Sequence, residues 1–215
     1  MILPLTAEEL LTTTRAVRLR LDHERPVSRD VLRRCVELAL QAPSGSNRVP
    51  LQFVIVTDPE MRAALGEDYR ERYAAYQASP GYIGKVDKGD AQANAQQQRT
   101  ARSADHLAAT IHLAPAIVVA CGLGGLEGQA PHRIVASAGS IHPGMWSFML
   151  AARLHGLGTC WTALTLAPGA RTPGLLGIPE DVTAGALTPV AYTRGTAFKP
   201  ALRPDPDSVI HWEGW

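Results

Sequence analysis

Between Ile141 and His155 the chain offers almost no polar face: Met145, Trp146, Phe148, Met149 and Leu150 follow one another within fifteen residues. At helical spacing such a stretch is apolar nearly all round, and a helix of that kind must be covered on most sides. In a chain of 215 residues a single domain has few layers to offer, so a subunit interface is a natural place to hide the remaining face. This one segment constrains the fold to a layered architecture built around a buried central helix.

The flanking text supplies the other layers. Thr6-Ala7-Glu8-Glu9 fits a capping box that opens a short helix running to about Thr13. Ser28 reads as the N-cap of a second helix, with Asp30 in its first turn. Val31, Cys35, Leu38 and Ala42 lie on one face of it, and Pro43 marks its end. Leu51 to Thr57 and Pro115 to Cys121 read as buried strands, and Gly158 to Leu166 and Leu187 to Tyr192 as two more. Asp58-Pro59 is the cap and first position of a helix through Met61 and Leu65. Gly122 to Arg133 reads as a loop. From Gly66 to His112 the text turns polar and is read as helices and a mobile lid inside the same domain. The tail from Lys199 to Trp215 carries apolar anchors without periodicity, which fits a segment wrapped over a partner's surface.

Composition excludes several classes. Lys plus Arg is 21 against 20 for Asp plus Glu, a formal charge of +1, so no global field draws nucleic acid or an anionic membrane. Hydrophobic residues at 46% and charged residues at 19% are those of a water-soluble domain with a real core. No run approaches the roughly 18 apolar residues of a membrane span, and the first residues do not read as a secretory signal. Cys35, Cys121 and Cys160 are widely spaced and odd in number, so buried thiols in a reducing cytoplasm are expected rather than disulfides or zinc. Seven scattered histidines without a His-x-x-x-His pair argue against a metal site.

Three segments carry possible chemistry. Thr14-Arg15-Ala16-Val17-Arg18-Leu19-Arg20 places three guanidinium groups just after a helix; they serve either to fork onto a phosphate or as a solvated face. Ala42 to Pro50 joins a helix to a strand, and its small residues, with Ser44 and Asn47, suit either a ligand or an ordinary turn. Gly156 to Thr162 has glycines where a chain turns tightly beside something bulky. The run Gly122-Leu123-Gly124-Gly125-Leu126-Glu127-Gly128 is not a dinucleotide loop, because its third glycine is displaced and no acid follows at the required distance. The tyrosines 69, 73, 76 and 82 are either aromatic walls for a planar substrate or a helix face packed on the core.

The order of these segments resembles the FMN-dependent nitroreductase family over nearly the whole chain. Thr14 to Arg18 is similar to an Arg-Arg-Ser-Val-Arg opening, and Ala42 to Leu51 to an Ala-Pro-Ser-Gly-x-Asn stretch. Gly156 to Gly158 matches the Gly-Leu-Gly turn, Leu176 to Pro179 a Leu-Gly-Ile-Pro segment, and Arg203 with Val209 to Trp212 the family's ending. The resemblance implies an α+β three-layer sandwich over residues 1–215, a mixed and mainly antiparallel sheet flanked by helices, in an intertwined homodimer. It implies that Arg15, Arg18 and Arg203 surround the FMN phosphate and the polar edge of the flavin, that Ala16 and Val17 also belong to the cofactor-binding set, and that Ser44 and Asn47 bond the ribityl chain or the pyrimidine edge. Thr162 and Ala163 should lie along the ring with an amide near N5. The flavin carries the reaction, so no acid–base triad is implied. The function so implied is reduction of a nitroaromatic, quinone or other conjugated small molecule by NADPH or NADH in alternation. A specialised biosynthetic flavin enzyme working as a dehydrogenase, dehalogenase or flavin-modifying protein, or a flavin-binding protein without turnover, are the alternatives. Ala16 in place of serine, Arg20 at an often aromatic position, and Arg48, Val49 and Leu51 in place of the usual residues are departures from the pattern.

Overall fold

The computed structural model describes residues 2–47, 50–125, 128–167 and 169–215. Arg48 and Val49, two of the departures just named, lie outside them, as do Leu126 and Glu127 of the rejected glycine run. The capping box is formed as read: in α1 (Ala7–Thr13) the Thr6 hydroxyl accepts from the Glu9 amide at 3.1 Å, and the Thr6 amide donates to the Glu9 carboxylate at 2.8 Å. Ser28 caps α2 (Arg29–Ala39), which ends one turn before Pro43.

The sheet consists of β1 (Leu21–Asp22), β2 (Leu51–Val56), β3 (Ala116–Leu123), β4 (Leu157–Thr159) and β5 (Val182–Thr193). Its order is β1-β5-β3-β2, with β4 also paired to β5, and every ladder is antiparallel. Among the described residues the one parallel contact is an isolated bridge between Ala16 and Thr159. β3 shows why both faces are covered. Its alternate residues Ile117, Val119 and Cys121 enter one core, and Ala116, Val118 and Ala120 the other.

On the first face lie α3 (Pro59–Ala78) and α4 (Ala91–Thr110). The polar region from Gly66 to His112 holds the later part of α3 and the whole of α4, joined through residues 79–90 with a 3₁₀ turn at Ile83–Lys85. Tyr69, Tyr73 and Tyr82 are buried there. Tyr73 and Tyr82 both donate to one oxygen of Asp105, at 2.9 and 2.8 Å. These tyrosines are core, which decides between the two readings of the aromatic cluster.

On the second face lie α2 and α5 (Pro131–Leu154). α5 begins ten residues before the apolar run, with Pro131 at its first turn, where a missing N–H costs nothing. Pro143 is tolerated inside it because the Gly139 carbonyl it deprives is exposed to water. Ile141, Met145, Phe148 and Ala152 face the sheet, where small residues let the helix come close: a Cβ on Gly144 would strike Leu51, and one on Gly122 or Gly185 would strike Ile141. Trp146 and Val135 point outward, 38% and 71% exposed. The expected strand over Gly158 to Leu166 is shorter: after Thr159 only a single bridge, Thr162 to Leu187, precedes a 3₁₀ turn at Leu164–Leu166. The strand around Leu187 to Tyr192 is longer, reaching back to Val182, with a register shift opposite Ala120 and Cys121.

Candidate functional site

The segment from Arg15 to Arg20 leaves α1 and is laid along β4. Val17 donates its amide to the Thr159 carbonyl at 2.8 Å and buries its side chain. The glycine of the Gly-Leu-Gly turn is what permits this approach, since a Cβ on Gly158 would come within 3.0 Å of both Val17 and Leu21. The turn glycine and the arginine segment, about 140 residues apart in the chain, are thus one local structure.

Beside this segment opens a cavity of about 420 Å³, lined by Arg15 to Arg20, Ser103, and Ala197, Phe198 and Lys199. Arg15 donates to the Lys199 carbonyl at 2.9 Å and Arg18 to the Ser103 hydroxyl at 3.2 Å. Four cationic side chains line it, and none of the described lining residues is acidic. A concavity of this charge favours an anion, and guanidinium groups present forked donors to phosphate oxygens.

Arg18 connects the cavity to the segment of residues 156–162. Burial pushes the Tyr69 phenol and the Cys160 thiol above their ordinary pKa, and the charge of Arg18 opposes that shift. The Tyr69 hydroxyl in turn meets the Thr162 hydroxyl at 3.4 Å. Thr162 exchanges both backbone hydrogen bonds with Leu187, at 2.8 and 2.9 Å, so its own amide is committed to the sheet. Ala163, the next residue, is exposed, and its amide has no partner among the described residues.

The other expected residues stand elsewhere in the same chain. Ser44 is half-buried and Asn47 exposed, on the turn after α2, where the Gly45 amide donates to the Ser140 hydroxyl of α5 at 3.0 Å. Asn47 has φ 52°, a left-handed conformation that asparagine tolerates better than most. That turn lies on the α5 side of the sheet, whereas the arginine cavity adjoins α4. Arg203 is exposed and donates to the adjacent Leu202 carbonyl at 3.3 Å. The structure therefore gathers Arg15, Ala16, Val17 and Arg18 in one place, joins Thr162 to them through Tyr69, and leaves Ser44, Asn47 and Arg203 apart within one protomer. Lys199 and Ser103 were not legible as site residues: both enter only through contacts spanning 85 residues or more.

The three thiols are buried as expected. Burial pushes Cys35 up to about 12 and Cys121 up to about 11, so they stay protonated at neutral pH. No cluster of three metal-ligating side chains occurs among the described residues, and no helix there is long and apolar enough to cross a membrane.

The architecture is shared with solved flavoproteins. The FMN- and NADPH-dependent nitroreductase NfnB of Sphigopyxis sp. strain HMH is 23% identical, with 98% of this chain and 100% of that chain covered and a TM-score of 0.66. A nitroreductase with bound FMN from Desulfitobacterium hafniense is 21% identical over 96% and 97% of the two chains, at 0.64. Iodotyrosine deiodinase bound to FMN and 3-iodo-L-tyrosine is 17% identical over 98% and 100%, at 0.68. At these identities the likeness defines the class of fold: an α+β sandwich with helices on both faces of a mainly antiparallel sheet. No curated protein matches the chain. The Nitroreductase family model matches residues 11–192, and the chain belongs to the nitroreductase family, as the order of its motifs implies.

Proposed function

We propose that this protein is a cytoplasmic FMN-dependent oxidoreductase in which NADPH or NADH and a nitroaromatic, quinone or other conjugated organic substrate react in alternation at one slot. The observation that carries this reading is the acid-free cavity where Arg15, Arg18 and Lys199 converge. Its volume and charge fit the phosphate end of a flavin mononucleotide, and family membership narrows the choice of anion.

Bound FMN would supply the two-electron redox chemistry. The chain supplies position. Arg15 and Lys199 hold the phosphoryl group, and Arg18, half-buried, brings a fixed positive charge to the polar edge of the ring. The exposed Ala163 amide, kept in place by the Thr162–Leu187 pairing, is the donor offered to the ring, while buried Tyr69 behind Thr162 excludes water.

Ser44, Asn47 and Arg203 take part from a second copy. In this reading the protein is a homodimer whose tail from residue 199 to 215 wraps its partner. Leu202, Val209, Trp212 and Trp215 are 78%, 62%, 83% and 104% exposed in one protomer. An apolar groove between α2 and β2, lined by Leu32, Val36, Leu40, Phe53 and Ile55, also lies open.

Purified protein should be yellow and release FMN on denaturation, and NADPH or NADH should bleach its band near ~450 nm. Menadione or a nitroarene should then sustain nicotinamide oxidation. Colourless protein that takes up no added FMN overturns the reading. Bound FMN that nicotinamides never bleach assigns the chain to flavin binding without turnover.

A further inference from the structure

Residues 194–199 link β5 to the tail, and the last three of them, Ala197, Phe198 and Lys199, form one wall of the arginine cavity. Their carbonyl oxygens are held almost one after another by guanidinium groups. Arg20 donates through Nε to the carbonyl of Arg194 at 3.0 Å, through Nη2 to that of Gly195 at 2.5 Å, and through Nη1 to that of Ala197 at 2.9 Å. Arg153, only 5% exposed, takes the intervening Thr196 carbonyl at 3.0 Å. Arg15 takes that of Lys199. Arg20 and Arg153 also lie against the Phe198 ring, 4.1 and 4.9 Å from its centroid. Gly195 has φ +75°, and a Cβ there would come within 3.0 Å of Arg20 Nη2. The glycine admits the guanidinium both by its conformation and by its lack of a side chain.

Arg20 lines the cavity, yet each of its three nitrogens already donates to a backbone carbonyl. We infer that Arg20 is a positioning residue: it binds no phosphate itself but builds the wall that presents Lys199 beside Arg15. Carbonyl oxygens carry partial negative charge, and left unpaired beside an anion they would repel it. A guanidinium fork neutralises three of them at once and seats Phe198 through its flat face. A lysine at this position keeps the charge but offers a single ammonium that cannot span three carbonyls.

The inference rests on the proposed FMN site, and the experiment separates the two. Apo-protein is titrated with FMN and with riboflavin, which lacks the phosphate, following flavin fluorescence for the wild type, Arg20→Ala, Arg20→Lys and Phe198→Ala. Both Arg20 variants should lose about tenfold or more in FMN affinity, the scale of a few charge-assisted hydrogen bonds, and Phe198→Ala should lose affinity in the same direction. Riboflavin affinity should stay within about threefold throughout. Wild-type FMN affinity in Arg20→Lys shows that charge alone matters and overturns the inference. Equal losses for both flavins, or no loss for either, overturn it as well. A wild-type chain that binds neither flavin overturns the FMN reading and this inference with it.

Discussion

The carboxylate of Asp68, 1% exposed, accepts from both the amide and the hydroxyl of Thr172, at 2.9 and 2.7 Å. It also accepts from the Arg171 amide at 3.3 Å, and the Arg72 and Arg171 guanidinium groups approach to 3.8 Å. Its neighbour on α3, Tyr69, meets Thr162. Two adjacent residues of one helix therefore grip both ends of the loop that carries Ala163.

Asp68→Ala should be among the most damaging single changes, since it leaves the buried amide and hydroxyl of Thr172, and the part-buried Arg171 amide, without an acceptor. A loss of about 3 kcal/mol is expected from the usual cost of orphaned buried donors, measured by urea denaturation. Asp68→Asn, which keeps one oxygen, should cost less. A loss under about 1 kcal/mol for the alanine variant, the scale of an ordinary surface change, contradicts the buried anchor.

Gly66 and Gly139 are both helical, and the same substitution should act with opposite sign. Nothing lies within 4 Å of a Cβ built on Gly139, so Gly139→Ala should stabilise by roughly 0.5–1 kcal/mol from helix propensity. A Cβ on Gly66 would lie 2.5 Å from the Cβ of His112, and Gly66→Ala should destabilise by about 1–3 kcal/mol through overpacking. Paired thermal melts check the contrast.

Acid should weaken the fold before carboxylates titrate. Burial first, then Arg70 and Arg62, hold His112 below its ordinary value, and burial with Arg194 does the same for His23. Both bases are favoured in the neutral form when folded. Above pH 6.5 folded and unfolded chains are alike; below it the unfolded chain takes up protons that the folded one resists, so stability falls. The Tm should drop between pH 7.5 and 5.5, and His112→Asn should flatten that slope. An unchanged slope in the variant removes His112 from the account.

Truncation after Pro200 removes residues that are exposed or half-exposed in one protomer. The domain should keep its helix content by circular dichroism, while its mass by light scattering falls from dimer to monomer. A truncated chain that remains dimeric contradicts the wrapping role of the tail.

What was legible in the sequence was local or periodic. Thr6 with Glu9, and Ser28 with Val31, are caps three residues apart, and β3 announces itself by an unbroken apolar run. Helices were expected between Gly66 and His112, but the bounds of α4 were not legible because its surface is glutamine-rich and few of its residues, Ala101, Leu107 and Ala108 among them, are buried. The start of α5 was hidden because the stretch before Ile141 carries little apolar pattern, Ser140 being its first buried residue. The arginine motif was readable as a list of charges, but not its division of labour: only the folded chain shows that Arg20 turns to backbone 174 residues away while Arg18 faces Ser103. Ser44, Asn47 and Arg203 were grouped with it by motif order, which carries no information about which side of the sheet a loop occupies.

The chain has four tryptophans, and two of them, Trp212 and Trp215, stand in solvent on the tail. Intrinsic fluorescence will thus be weighted toward a segment that contributes nothing to the core. A red-shifted emission would report a tail that is loose, and a blue shift with rising protein concentration would report its capture by another copy. An unfolding curve followed at these wavelengths would record tail release first, and backbone melting would have to be read from a different signal.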